Sequence, residues 1–143
     1  MVFVAEEAQN DADIEKAWSI KAIMHAETHF NMLQSMQPQD MKFTPIDDEI
    51  YAAFRSEFPD FQVAVLDVEQ MKSTDAKAKW RPWMMAFDGR VEDFNFGTLL
   101  RLDAREDYTE ENSLFATRIQ FLAIELARNR EGHNEFIYQV GQK

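Results

Sequence analysis

His25 and His29 stand one helical turn apart with Glu27 between them, and they are the first residues here that could hold a metal. An i, i+4 spacing puts both rings on one helix face. The pattern is not H-E-x-x-H and no third ligand accompanies it, so the expectation is two core or boundary histidines and no metal. Paired carboxylates come next. Asp47-Asp48-Glu49, and Asp107 with Glu110-Glu111, could do acid–base work if burial split their pKa values. Both groups fall where helices are expected to start, and the positive helix end already accounts for acids there. The histidines, His25, His29 and His133, have no serine in a G-x-S-x-G turn to serve. Gly89, Gly97, Gly132 and Gly141 lie too far apart to cradle phosphates, and neither G-x-x-x-x-G-K-[ST] nor G-x-G-x-x-G occurs. No cofactor and no catalytic residue is expected.

Residues suited to binding are easier to find. Trp80-Arg81-Pro82-Trp83 sets two indoles beside a guanidinium, the composition of an interface anchor. Trp80 reads as core and Trp83 as the more open of the two. Glu92-Asp93-Phe94-Asn95 places two acids and an amide before a strand, where a turn needs about one of them. The plainer alternative is a capped loop with Phe94 and Phe96 pinned to the core. Arg118 and Glu125 interrupt an otherwise apolar helix two turns apart, and such charges are costly to bury unless paired. Either they pair internally, with each other or with Asp103 and Arg101, or they line a groove for a partner. Arg128 and Arg130 fall in the last turn of that helix, where cations suit the negative end and their loss should leave the fold intact. The candidate partner-binding set is therefore Trp83, Glu92, Asp93, Asn95, Arg101, Asp103, Arg118, Glu125, Arg128 and Arg130.

The elements that must position these residues follow from periodicity and punctuation. Residues 1–10 read as a flexible arm, and residues 11–140 as one α+β domain of about four helices on a two- to three-stranded sheet. A first helix is predicted over Asp13–Met36, with Ile14, Trp18, Ala22, Ala26, His29 and Leu33 near one face. Thr44-Pro45-Ile46-Asp47 signals a second, with Thr44 as N-cap and Ile46, Ile50, Phe54 and Phe58 as its stripe. Phe61–Asp67 and Phe96–Asp103 read as strands. Ser73 and Thr74 cap a third helix carrying Trp80, Met84 and Phe87, with a kink or irregular turn expected at Pro82. Thr109-Glu-Glu-Asn112 is expected to cap the last helix, which Gly132 ends. Leu114, Phe115, Ile119, Leu122 and Leu126 belong to its apolar surface, and Asn134–Val140 is left as a third strand or a docked tail.

Composition narrows the class of partner. There are no cysteines, no signal-peptide pattern and no apolar run near the roughly 20 residues of a membrane helix. A soluble cytoplasmic monomer is expected. The net charge is −11, and residues 1–60 hold 12 acids against 4 bases, so that part alone carries −8. Such a surface repels phosphate backbones and favours encounter with a basic protein. Nucleic acid and membrane are not expected partners.

Longer motifs point to a family. K-W-R-P at 79–82, V-E-D-F-N-F-G-T-L-L-R-L-D at 91–103, Y-T-E-E-N at 108–112 and R-I-Q-F-L-A-I-E-L-A-R-N-R-E-G at 118–132 occur in order. D-I-E-K-A-W, H-A-E and D-D-E-I-Y precede them. Over residues 11–138 the chain resembles the eukaryotic polysaccharide biosynthesis domain-containing protein family. That resemblance implies a dedicated chaperone of translation elongation factor 1-alpha that acts without ATP. Such a protein would engage the nascent GTP-binding domain at the ribosome, itself a candidate second contact, and release it once the client folds and binds GTP. The family's name suggests instead an enzyme or accessory protein of polysaccharide or nucleotide-sugar biosynthesis. A sugar-nucleotide binder would be expected to show a phosphate loop or a D-x-D motif, of which Asp47-Asp48 is only a faint echo. Another cytosolic adaptor role is the remaining alternative.

Overall fold

In the computed structural model, residues 12–143 are described, with side chains from Lys16 onward. The arm expected over residues 1–10 lies outside them. The fold is α+β, with six α-helices and one two-stranded antiparallel sheet among the described residues.

Helix α1 (Ala12–Ser35) turns Trp18, Ala22, Ala26, His29 and Leu33 inward, as its spacing predicts. The two alanines let the helix lie close on the sheet, and the Trp18 indole donates to the Gly97 carbonyl at 2.6 Å. A 3-10 turn at Pro38–Asp40 leads to α2 (Asp47–Glu57). Thr44 is not the N-cap expected of it. The Asp47 carboxylate folds back instead, accepting from the Phe43 and Thr44 amides and the Thr44 hydroxyl, each at 2.8 Å. The first turn is thereby fixed by an acid inside the helix. Ile50, Phe54 and Phe58 form the predicted stripe.

A short helix, α3 (Glu69–Lys72), precedes α4 (Thr74–Met85), whose N-cap Ser73 accepts from the Ala76 amide as foreseen. Helix α4 runs through Pro82 and ends three residues later. Its aromatic residues meet those at and beyond the end of α2: Phe58 stacks on Trp80 with ring centroids 4.2 Å apart, and Phe61 and Trp83 close the cluster edge-on. Trp80 is buried.

Strand β1 (Gly97–Arg101) pairs with β2 (Ser113–Thr117), Gly97 opposite Thr117 and Arg101 opposite Ser113. Two expectations are corrected here. Phe61–Asp67 is not a strand; only Val65 forms a bridge, with Asp103. Side-chain donors take the carbonyls that a ladder would need. Arg55 holds the Phe61 carbonyl at 2.8 Å and Arg128 that of Val63 at 2.7 Å. The last long helix also starts later than predicted. Residues 113–117 are strand, so Leu114 and Phe115 lie on β2, and α5 spans Arg118–Arg130. Its cap is Thr117, whose hydroxyl accepts from the Gln120 amide while Gln120 Oε1 accepts from the Thr117 amide. That reciprocal pair satisfies two otherwise orphaned N–H groups.

Helix α5 is buried nearly all round from Ile119 to Asn129 and forms the centre of the core. Gly132, at φ +88°, takes the left-handed conformation that ends it, and the His133 amide reaches back to the Arg128 carbonyl. Of the two readings of Asn134–Val140, the strand fails and the docked tail holds. The segment contributes most of α6 (Glu135–Gly141), a helix that docks on α1. Gly141 makes that approach: a Cβ there would stand 2.4 Å from the Gln34 carbonyl oxygen.

Candidate partner-binding surfaces

Four of the ten candidates belong to the interior or its supporting shell rather than to a surface. Glu125 is fully buried at mid-α5. Its carboxylate accepts from Arg101 Nη2 at 3.0 and 3.2 Å, from Arg128 Nη1 at 2.9 Å and from Asn134 Nδ2 at 3.0 Å. Arg101 and Arg128 are equally buried. Arg101 also donates to the Ala104 carbonyl, and Arg128 to the Val63 and Arg101 carbonyls. One carboxylate and two guanidinium groups therefore tie together β1, α5, the turn before α6 and the 61–66 segment. Burial pushes the Glu125 carboxyl upward, but the two arginines outweigh it and hold it well below the usual carboxylate range. Asp103 serves the same region, its amide accepted by Asn112 Oδ1 and its carboxylate capping the Arg105 amide.

Of the alternatives for Glu125, internal pairing with Arg101 holds, joined by Arg128, and Arg118 takes no part. One expectation changes with this geometry. Arg128 is not a solvated cation of the last turn, because its side chain points inward to Glu125 on its own helix and to the Val63, Arg101 and Leu102 carbonyls. Arg130, by contrast, is exposed and pairs with Asp48 at 2.6 Å.

His29 completes the buried network. Its Nδ1 lies 2.8 Å from the Tyr108 hydroxyl in a hydrogen bond, and Nε2 is 3.9 Å from Glu125. Burial lowers its pKa to about 4, against the pull of Glu125. His25 hydrogen-bonds Thr98 through Nδ1, so the two histidines face different partners. Among the described residues no group of three or more His, Asp and Glu side chains is placed to hold a metal ion.

The other candidates lie nearer the surface. Trp83 is half-buried, donating from its indole to the Ala53 carbonyl at 3.1 Å. Glu92, Asp93 and Asn95 share the turn before β1, with Phe94 buried and Phe96 half-buried. Arg118 stands apart from this turn sequence-wise, yet it lines the same pocket as Asp93.

A second surface was not anticipated. Ile20, Ile23 and Met24 on α1 are 52%, 51% and 61% exposed, and Phe115 on β2 is 47% exposed. Spacing of three and four residues aligns the α1 side chains as a ridge opposite the buried stripe. Beside the ridge runs a groove of about 650 Å³, floored by Ala26, Leu99 and Leu114 and closed by Ile23 and Phe115. Glu27, Asp107 and Glu110 stand on its rim. An apolar floor under an acidic rim suits a basic, partly apolar protein segment. The signal was present in the sequence as three large apolar residues off the α1 stripe. Phe115 was hidden because it was placed on a helix.

Residues 14–139 match the family model described as PBDC1 protein. The chain is 54% identical to Protein PBDC1 of Homo sapiens over 134 residues, which is 94% of this chain and 58% of that one. It is 56% identical to the Mus musculus protein of the same name, covering 90% of this chain and 65% of that one. The chain thus spans about three fifths of the length of these mammalian relatives. The Saccharomyces cerevisiae PBDC1 homolog is 41% identical over 99% of this chain and 98% of its own. A solution NMR structure of protein yst0336 from Saccharomyces cerevisiae superposes with a TM-score of 0.84 at 41% identity, over 99% of this chain and 98% of that one.

Proposed function

The chain belongs to the PBDC1 family, the polysaccharide biosynthesis domain-containing proteins, and on that footing we propose that it is a client-specific chaperone. Its client is the nascent GTP-binding domain of elongation factor 1-alpha. The observation that carries the reading is the α1 ridge with its groove, where apolar floor and acidic rim lie together on a protein of net charge −11. A half-folded GTPase domain exposes apolar surface and unpaired strand edges that otherwise aggregate. The ridge covers the apolar part while Glu27, Asp107 and Glu110 attract and orient a basic chain.

Release needs no motor. A binder selective for the open client loses it as GTP draws the client into its native state, by mass action alone. The chaperone then acts in the cytoplasm as a monomer, close to the ribosome.

The test is a pair of α1 substitutions, Ile23→Glu and Met24→Glu, made together. Both positions are exposed and glutamate is a good helix former, so the melting temperature should stay close to wild type. Loss of two apolar contacts and the added like charge should weaken capture of the nascent GTP-binding domain about tenfold or more. Unchanged capture by the folded double variant would move the client site elsewhere.

A further inference from the structure

On the opposite flank of α1 from the groove lies a second pocket, of about 270 Å³, lined by Lys21, His25, Thr98, Arg118 and Asp93. That is below the usual range for sites that enclose a whole ligand, and it fits one small polar group. Ala22, Phe96 and Gly97 complete the lining, and Lys21 and Arg118 bring two cations to it on a protein of net charge −11.

Arg118 is the unusual member. It is the first residue of α5, where the positive helix end disfavours a cation. Its Nε is buried and finds no acceptor, and no carboxylate pairs with its guanidinium among the described residues. Arg128, fully buried on the same helix, is met by a carboxylate and backbone carbonyls, whereas the half-buried Arg118 has no such partner among the described residues. Asp93, at the mouth, is held in the left-handed conformation at φ 53° and forms no ion pair with Arg118. Thr98 and His25 are already bonded to each other across the pocket wall, which fixes the ring beside the guanidinium.

We infer that this pocket is an oxyanion-binding site, in which Arg118 grips a carboxylate or phosphoryl oxygen pair with Lys21 beside it. A guanidinium offers two parallel N–H donors matched to such a group. The Asp93 carboxylate limits how much negative charge the pocket accepts. The site is independent of the client reading, since it uses neither the ridge nor the groove.

The experiment is an NMR titration of the whole protein with sodium acetate and, separately, sodium phosphate, at constant ionic strength balanced with chloride. The expected result is a saturable, millimolar-range movement of the His25 ring and Arg118 Nε–H signals by at least one of the two anions. Acetate alone identifies a carboxylate of a protein chain as the source; phosphate alone identifies a phosphoryl group. In Arg118→Gln the saturable movement of the His25 signals should vanish, and in Lys21→Gln, an exposed position, the affinity should fall several-fold. Should Arg118→Gln fail to fold, Lys21→Gln carries the test by itself. Movement that is linear and no greater than with chloride, or saturation unchanged in the folded variants, overturns the proposal.

Discussion

Replacing Arg128 by alanine should cost far more stability than replacing Arg130, although the two lie two residues apart at the end of one helix. Arg128 gives Glu125 one of its three hydrogen-bonding partners and caps the Val63 and Arg101 carbonyls, all in the interior. Its removal strands those carbonyls and leaves a buried carboxylate undercompensated. Breaking a buried pair in this way costs about 3–5 kcal/mol. Against a total of about 5–15 kcal/mol for a domain, that is enough to leave a substantial fraction unfolded at physiological temperature. Arg130 pairs with Asp48, whose side chain is 95% exposed, and such pairs contribute about 0–1 kcal/mol. Urea unfolding followed by circular dichroism would measure both. The Arg128→Ala midpoint should fall steeply with an unchanged slope, while Arg130→Ala stays near wild type. Equal midpoints for the two variants would refute the reading of the network as a load shared among β1, α5 and the 61–66 segment.

Acid should destabilise the fold through His29, whose pKa falls from 6.5 to about 4 on burial. A folded-state pKa below the unfolded one means that the unfolded chain binds the proton more tightly. The contribution is therefore complete above about pH 6.5 and is lost as the pH falls toward 4, by at most about 3 kcal/mol. Denaturation midpoints across that window should slope downward, and His29→Phe should flatten the slope whatever it does to stability at neutral pH; an equally steep slope in His29→Phe would assign the acid sensitivity to other groups. Gly141→Ala should loosen the docking of α6 on α1, since the new methyl would meet backbone at Gln34 rather than a movable side chain. Hydrogen exchange should then speed up in α6 and leave α5 unchanged; unaltered exchange in α6 would contradict the close approach.

Where a helix carries a single apolar stripe, as α1, α2 and α4 do, the sequence was enough to place it. What it could not resolve was competition for the same residues. Phe61–Asp67 has the composition of a strand, and only the positions of Arg55 and Arg128 reveal that its carbonyls are claimed by side chains. Leu114 and Phe115 continue the apolar pattern of α5, so strand and helix merge there. The capping box Thr117-x-x-Gln120 marks the boundary, but Thr109-Glu-Glu-Asn112 offers a rival start. Among the binding candidates, type and charge identified Arg101, Glu125 and Arg128 as residues needing partners. The sequence offers Arg101 as a partner for Glu125; that Arg128 and Asn134 join them depends on how β1, α5 and the turn before α6 pack together. Lys21 and His25 on α1 meet Arg118 only because α1 and α5 both pack on β1, which no spacing in the sequence reveals.

Selective recognition of an unfinished client can be measured on ribosomes stalled while making elongation factor 1-alpha. Wild-type protein would be added to complexes exposing the GTP-binding domain, and in parallel to the purified, GTP-bound factor, with binding measured on both. A chaperone of this kind should capture the nascent domain firmly and bind the mature GTP-bound protein weakly. Equal affinity for the two forms, or no binding to either, would contradict it.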